Sequence, residues 1–195
     1  LAGLTARICS LVREGPDATT HAGEALALGR VYREADLDER AEQSFERALT
    51  LVESGGTKAP ASDFWFPAGR RERATLKIEA LRALALLARR QRRYEAAAAR
   101  WRQLVELVEC PLHISREAIE ALAIHHEHRV RDLTAAKLFA LRGVELEATP
   151  ARGDAAGRRL ARIERKLVSE RPTLFPSSTW PLSSGSQMSG PRTSS

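Results

Sequence analysis

Cysteine is nearly missing, with Cys9 and Cys110 the only two in 195 residues. Two thiols build neither a disulfide framework nor a four-thiolate zinc site, and such sparing use fits a reducing cytoplasm. Aromatic residues are 5% of the chain, so its core has to come from the Ala, Leu and Val in the 43% that is hydrophobic. That is the composition of packed helices. No apolar run comes near the roughly eighteen residues that a membrane span needs. The longest, Ala83 to Ala88, is flanked by Arg82 and Arg89, which excludes a membrane-spanning protein. The single Met is Met188 and the chain opens on Leu1, so it reads as a fragment whose upstream part is missing. Chemistry is sparse too. There is no glycine-rich phosphate loop, no Gly-x-Ser-x-Gly elbow and no Cys-x-x-Cys pair. Cys110, just before Pro111, lacks the His and Asn context of a nucleophile.

Positive charge is plentiful and uneven. Residues 1–60 carry a net −3, 61–110 a net +5, 111–171 a net +3 and 172–195 a net +1, for +6 in all. Lys occurs only at 58, 77, 137 and 166, the other basic residues being Arg. A pI near 10 speaks of solubility and nonspecific attraction rather than of a fold. Two readings of the arginines stay open: an Arg- and Ala-rich coding bias, or a surface for nucleic acid. The candidate contacts for the second are Arg89, Arg90, Arg92 and Arg93 at a turn between helices, with Arg70, Arg71 and Arg73 nearby. Acidic residues fall beside Arg, as in Glu42 with Arg47 or Glu95 with Arg100, the ordinary patterning of a helix surface.

Helical periodicity recurs in pairs. The first helix runs from Gly23 to Glu34, with Ala25, Leu28, Gly29 and Tyr32 on one face. Its partner carries Ala41, Phe45, Ala48, Leu49 and Val52, with Asp36 and Glu39 as a capping box. A second pair shows Leu81, Leu84, Ala85 and Ala88, then Tyr94, Ala97, Trp101 and Leu104. A third follows Pro111, with Ser115 as N-cap, one helix through Glu127 and another from Thr134 to Leu146. A last amphipathic helix, Asp154 to Ser169, carries Leu160, Ile163 and Leu167.

The order Leu28, Gly29, Tyr32, Ala41, Phe45, Ala48 resembles the tetratricopeptide repeat, in which small residues let two antiparallel helices approach and aromatics fill the gaps. Ala97 and Trp101 in the second pair and Ala136 in the third take the same places. The expected fold is therefore all-α: a helical-hairpin solenoid of three hairpins and a capping helix over residues 20–171. An insertion over 54–70 holds the aromatic knot Asp63-Phe64-Trp65-Phe66, and a Ser-, Thr- and Pro-rich disordered tail covers 172–195. His125, His126 and His128 are the one group that looks like metal ligands. In this His125-His126-Glu127-His128 cluster, His125 and His128 share a helix face at i, i+3, but no third ligand is spaced to join them, and His126 takes the place of the repeat's packing aromatic.

Three segments carry a further resemblance. Glu120 to Leu146, through Leu122, Ala123, Glu127, His128, Arg129, Arg131, Asp132 and Ala136, is similar to a region of bacterial proteins that join an RNase H-like, two-metal exonuclease domain to a tetratricopeptide-like segment. The basic helix Arg158 to Leu167 resembles the family's closing helix, and Leu1 to Val12 the helix after its last catalytic motif. The resemblance implies that residues 1–14 trail a missing nuclease domain, which would use magnesium or manganese. The carboxylates that bind those metals are absent here, so no catalytic or metal-binding residue is assigned and no cofactor is expected in this chain. The expected role is accessory: supporting the upstream nuclease domain and guiding nucleic acid along the basic side, in the cytoplasm. The alternative is a stand-alone scaffold whose concave surface binds a peptide or partner helix.

Overall fold

Helices account for all the regular structure in the computed structural model, which describes residues 2–54, 67–146 and 150–170; no strand occurs among them. The helices are α1 (Ala2–Glu14), α2 (Ala22–Glu34), α3 (Asp38–Glu53), α4 (Pro67–Arg90), α5 (Tyr94–Glu106), α6 (Leu112–His125), α7 (Leu133–Glu145) and α8 (Pro150–Glu170). A 3-10 turn, Pro16–Ala18, joins α1 to α2, and a π-helical turn, His126–Val130, follows α6. From α2 onward each helix packs on the next, and α2 also touches α4. The all-α expectation therefore holds, and no described helix is long and apolar enough to cross a membrane.

Three joints share one construction. Asp36 between α2 and α3, Arg92 between α4 and α5, and Arg131 between α6 and α7 each have a φ near +60°, at 56°, 61° and 61°. In each joint this left-handed residue stands two places before the first residue of the next helix. At the first two, the following amide closes the turn on the carbonyl five residues back, Leu37 on Tyr32 at 2.9 Å and Arg93 on Ala88 at 2.8 Å. This is the Schellman closure of a helix C-terminus, made here without glycine. At the third joint Asp132 reaches one residue further, to His126 at 3.0 Å. The register explains why. Gly29 to Ala41 and Ala85 to Ala97 are equal intervals, whereas Ala123 to Ala136 is one residue longer. The π turn takes up the extra residue.

Packing follows the small residues. Ala41, Phe45 and Ala48 are fully buried, as are Ala80, Ala85, Leu104, Ala118, Leu122 and Ala136. Phe45 lies on Gly29 so closely that a Cβ at position 29 would meet ring carbons at 2.5 and 2.6 Å. Within its hairpin, then, glycine is required to admit the ring. The Tyr32 hydroxyl donates to the Val12 carbonyl at 3.1 Å, tying α2 to α1, where Leu11 is buried. A second, smaller core joins α7 to α8 through Leu133, Ala136, Ala140 and the fully buried Ile163.

Several local expectations change. Asp36 is the left-handed turn residue and α3 starts at Asp38 with Leu37 before it, so no capping box forms. Ser115 lies within α6, whose N-cap is Pro111; at α7 the capping side chain is Asp132, which accepts from the Ala135 amide at 2.9 Å. The helix expected through Glu127 ends at His125, and α8 begins at Pro150 rather than Asp154. Residues 67–70 of the expected insertion are the first turn of α4, where a leading proline loses no hydrogen bond. The aromatic knot and the tail lie outside the described residues.

Candidate functional site

Where α5 faces α6, small side chains leave space. Ala97 and Ala98 on α5 and Ala121 on α6 stop at Cβ, and between the helices opens a cleft of about 310 Å³ with Trp101 on its floor. Its mouth is basic: Arg89 comes from the end of α4, and His128 and Arg129 from the π turn. The Arg129 guanidinium sits 3.8 Å above the centre of the Tyr94 ring, a cation–π contact. Among the described residues, neither Arg89 nor Arg129 finds a side-chain hydrogen bond or ion pair. His125 lines the cleft and is 6% exposed, and its Nε2 has no hydrogen bond. The Glu95 carboxylate stands 3.4 Å from that nitrogen, close enough for attraction but outside hydrogen-bond geometry. A buried polar atom left without a partner costs about 1–3 kcal/mol, so this nitrogen is a feature that packing alone does not favour.

The arginines singled out for nucleic acid fall into two groups, one at each end of α4. Arg70 and Arg71 lie exposed at the start of α4, and Arg89 and Arg90 at its end. Arg71 and Arg89 are about 27 Å apart along the axis at the rise of an α-helix, because α4 is a single helix of 24 residues. Arg73, half-buried, stays with the first group, and Arg92 and Arg93 with the second. Two of the second group are taken up internally. Arg90 pairs with Asp36 at 3.2 Å and with Asp38, and Arg93 pairs with Glu42 at 2.6 Å. Arg100 with Glu46 and Lys77 with Glu53 at 3.0 Å continue the series. A ladder of ion pairs thus joins the acidic α2–α3 hairpin to the basic α4–α5 hairpin, and the −3 and +5 blocks of sequence face each other. Each half-exposed pair is worth at most about 1 kcal/mol, but together they favour one register of the two hairpins. Glu42 and Glu95 accordingly do not pair with Arg47 and Arg100 along their own helices; Arg47 instead donates to the Thr19 carbonyl at 3.2 Å.

The histidine and acid cluster divides into separate roles. His126 stacks on Phe139 of α7 with ring centres 5.4 Å apart, as expected of a residue in the packing-aromatic place. Burial, and then the neighbouring His125, push its pKa below the usual histidine value. Glu127 has a fully buried side chain that accepts from Arg162 at 2.7 and 2.9 Å and from Lys166 at 2.7 Å. His128 stands 3.5 Å away. The hydrogen bond from Arg162 outweighs burial and holds the carboxyl at a pKa of about 2. This pins α8 to the π turn. Among the described residues no three His, Cys, Asp or Glu side chains are grouped to hold a metal ion. No protein-family model, curated protein or solved structure matches the chain.

Proposed function

We propose that the chain is a tetratricopeptide-like helical-repeat module that works by binding, as the accessory region of an RNase H-like exonuclease. The observation that carries the repeat reading is the left-handed residue recurring at the same place in three hairpins. Solenoids of stacked hairpins present surfaces rather than reaction centres. The basic cleft between α5 and α6 supports binding as the work done here. The exonuclease connection rests on the resemblance in Glu120 to Leu146 and Arg158 to Leu167. Its implied partner is an upstream nuclease domain with magnesium or manganese, in the cytoplasm. The stand-alone protein-interaction scaffold is the reading that remains if that resemblance fails.

Nucleic-acid contact is retained on one observation: Arg89 and Arg92 are exposed at the α4–α5 end without ion-pair partners among the described residues. The test joins both parts. Labelled single-stranded and duplex oligonucleotides are mixed with the 195-residue chain at several salt concentrations, with magnesium or manganese present. No cleavage is expected, and the slope of log affinity against log salt should fall by about two in the Arg89→Glu, Arg92→Glu double variant. Metal-dependent cleavage would refute the binding-module reading, and an unaltered slope would remove nucleic acid from it.

A further inference from the structure

The cleft between α5 and α6 has a floor and a mouth of different chemistry. We propose that it binds an acidic peptide segment, with one apolar side chain seated on Ala97, Ala98 and Trp101 and an adjacent Asp or Glu carboxylate held by Arg129, Arg89 and His125. The proposal rests on the binding-module reading and gives the partner its chemistry.

Size comes first. A volume of about 310 Å³ is at the bottom of the range for small-molecule and cofactor sites and suits one or two side chains. Charge follows. Much of the charge at the hairpin joints is spent on internal partners, yet among the described residues Arg89 and Arg129 have no ion pair or hydrogen bond, and both line the mouth. Arg129 is already held over Tyr94, so less side-chain freedom is lost when a carboxylate docks on it. The third observation is independent of both. The Nε2 of His125, a residue more than nine-tenths buried, lines the cleft without a hydrogen bond. Glu95 shows what that nitrogen attracts, since its carboxylate lies 3.4 Å away although its own side chain is 78% exposed. A peptide carboxylate would displace that exposed neighbour.

A nucleic acid fits less well. Bases bind single-strand proteins by stacking on exposed aromatic faces, but one face of Tyr94 is covered by Arg129 and Trp101 is 2% exposed.

The experiment uses the full 195-residue chain and a fluorescein-labelled peptide, Asp-Glu-Leu-Phe-Glu-Asp, titrated by anisotropy. A peptide with Lys at the acidic positions and an oligothymidylate of equal length with magnesium are run beside it. The acidic peptide should bind and the Lys version should not, with affinity falling as salt rises. Arg129→Ala should weaken binding about ten-fold, and Glu95→Gln, which removes the competing charge, should tighten it about three-fold. Far-UV dichroism checks that Arg129→Ala keeps its helices; if it does not, Glu95→Gln decides. No binding of the acidic peptide, or equal affinity in wild type and Glu95→Gln, overturns the proposal. So does binding of oligothymidylate that Arg129→Ala abolishes while the peptide stays unbound. Cleavage of the oligothymidylate would instead overturn the binding-module reading itself.

Discussion

Phe45→Ala should lower the free energy of unfolding by about 3–5 kcal/mol, as expected when a large buried side chain is deleted and its cavity persists. The ring is fully buried and is the piece around which the α2–α3 hairpin closes. Collapse into the void is hindered because Ala41 and Ala48 on the same helix end at Cβ, and Gly29 opposite has no side chain at all. The converse substitution, Gly29→Ala, should also destabilise, by about 1–3 kcal/mol, because its new Cβ falls 2.5 Å from a ring carbon. That loss outweighs the gain of up to about 1 kcal/mol that alanine brings to a helix interior. Urea unfolding followed by far-UV dichroism measures both. A loss below about 1 kcal/mol for Phe45→Ala would mean that the ring is not the centre of this hairpin.

The second large effect belongs to Glu127. Its pKa of about 2 in the folded chain lies below the ordinary carboxyl value of 4.5, so the ionised form is favoured by folding. The stabilisation is fully present above about pH 4.5 and is lost as pH falls towards about 2. Arg162 and Lys166 are half-exposed and share their charge with water, which brings the expected contribution to about 2–3 kcal/mol. Glu127→Gln should remove most of that at neutral pH, and its stability should vary less with acid than the wild type's. Thermal midpoints across that pH range give the comparison. The same acid loss in both proteins would show that other carboxylates, not Glu127, govern the transition.

Much of the fold was readable because its packing is local. Gly29, Tyr32, Ala41, Phe45 and Ala48 recur at helical spacing, and the structure buries all five. The joints were less readable. A left-handed turn usually announces itself with glycine or asparagine, and here the positions hold Asp36, Arg92 and Arg131. The extra residue between Ala123 and Ala136 was visible in the sequence, but nothing in it says that a π turn would take it up. The ladder was missed for a different reason: Glu42 and Arg93, or Glu46 and Arg100, are more than fifty residues apart, and helix-surface rules look only three or four residues away. The opposite signs of residues 1–60 and 61–110 were its one trace. The α5–α6 cleft left no trace at all, because alanines that create space read in sequence as alanines that fill it.

Native-state hydrogen exchange, amide by amide, in wild type and Phe45→Ala tests most directly whether the hairpins are stacked repeats coupled to their nearest neighbours. If they are, stability is a sum over units and their interfaces. Protection should then fall most in α2 and α3 and less in α4 and α5, and stay at the wild-type level in α6 and α7. A uniform fall across every helix would contradict the account, because it would make the chain one indivisible cooperative unit.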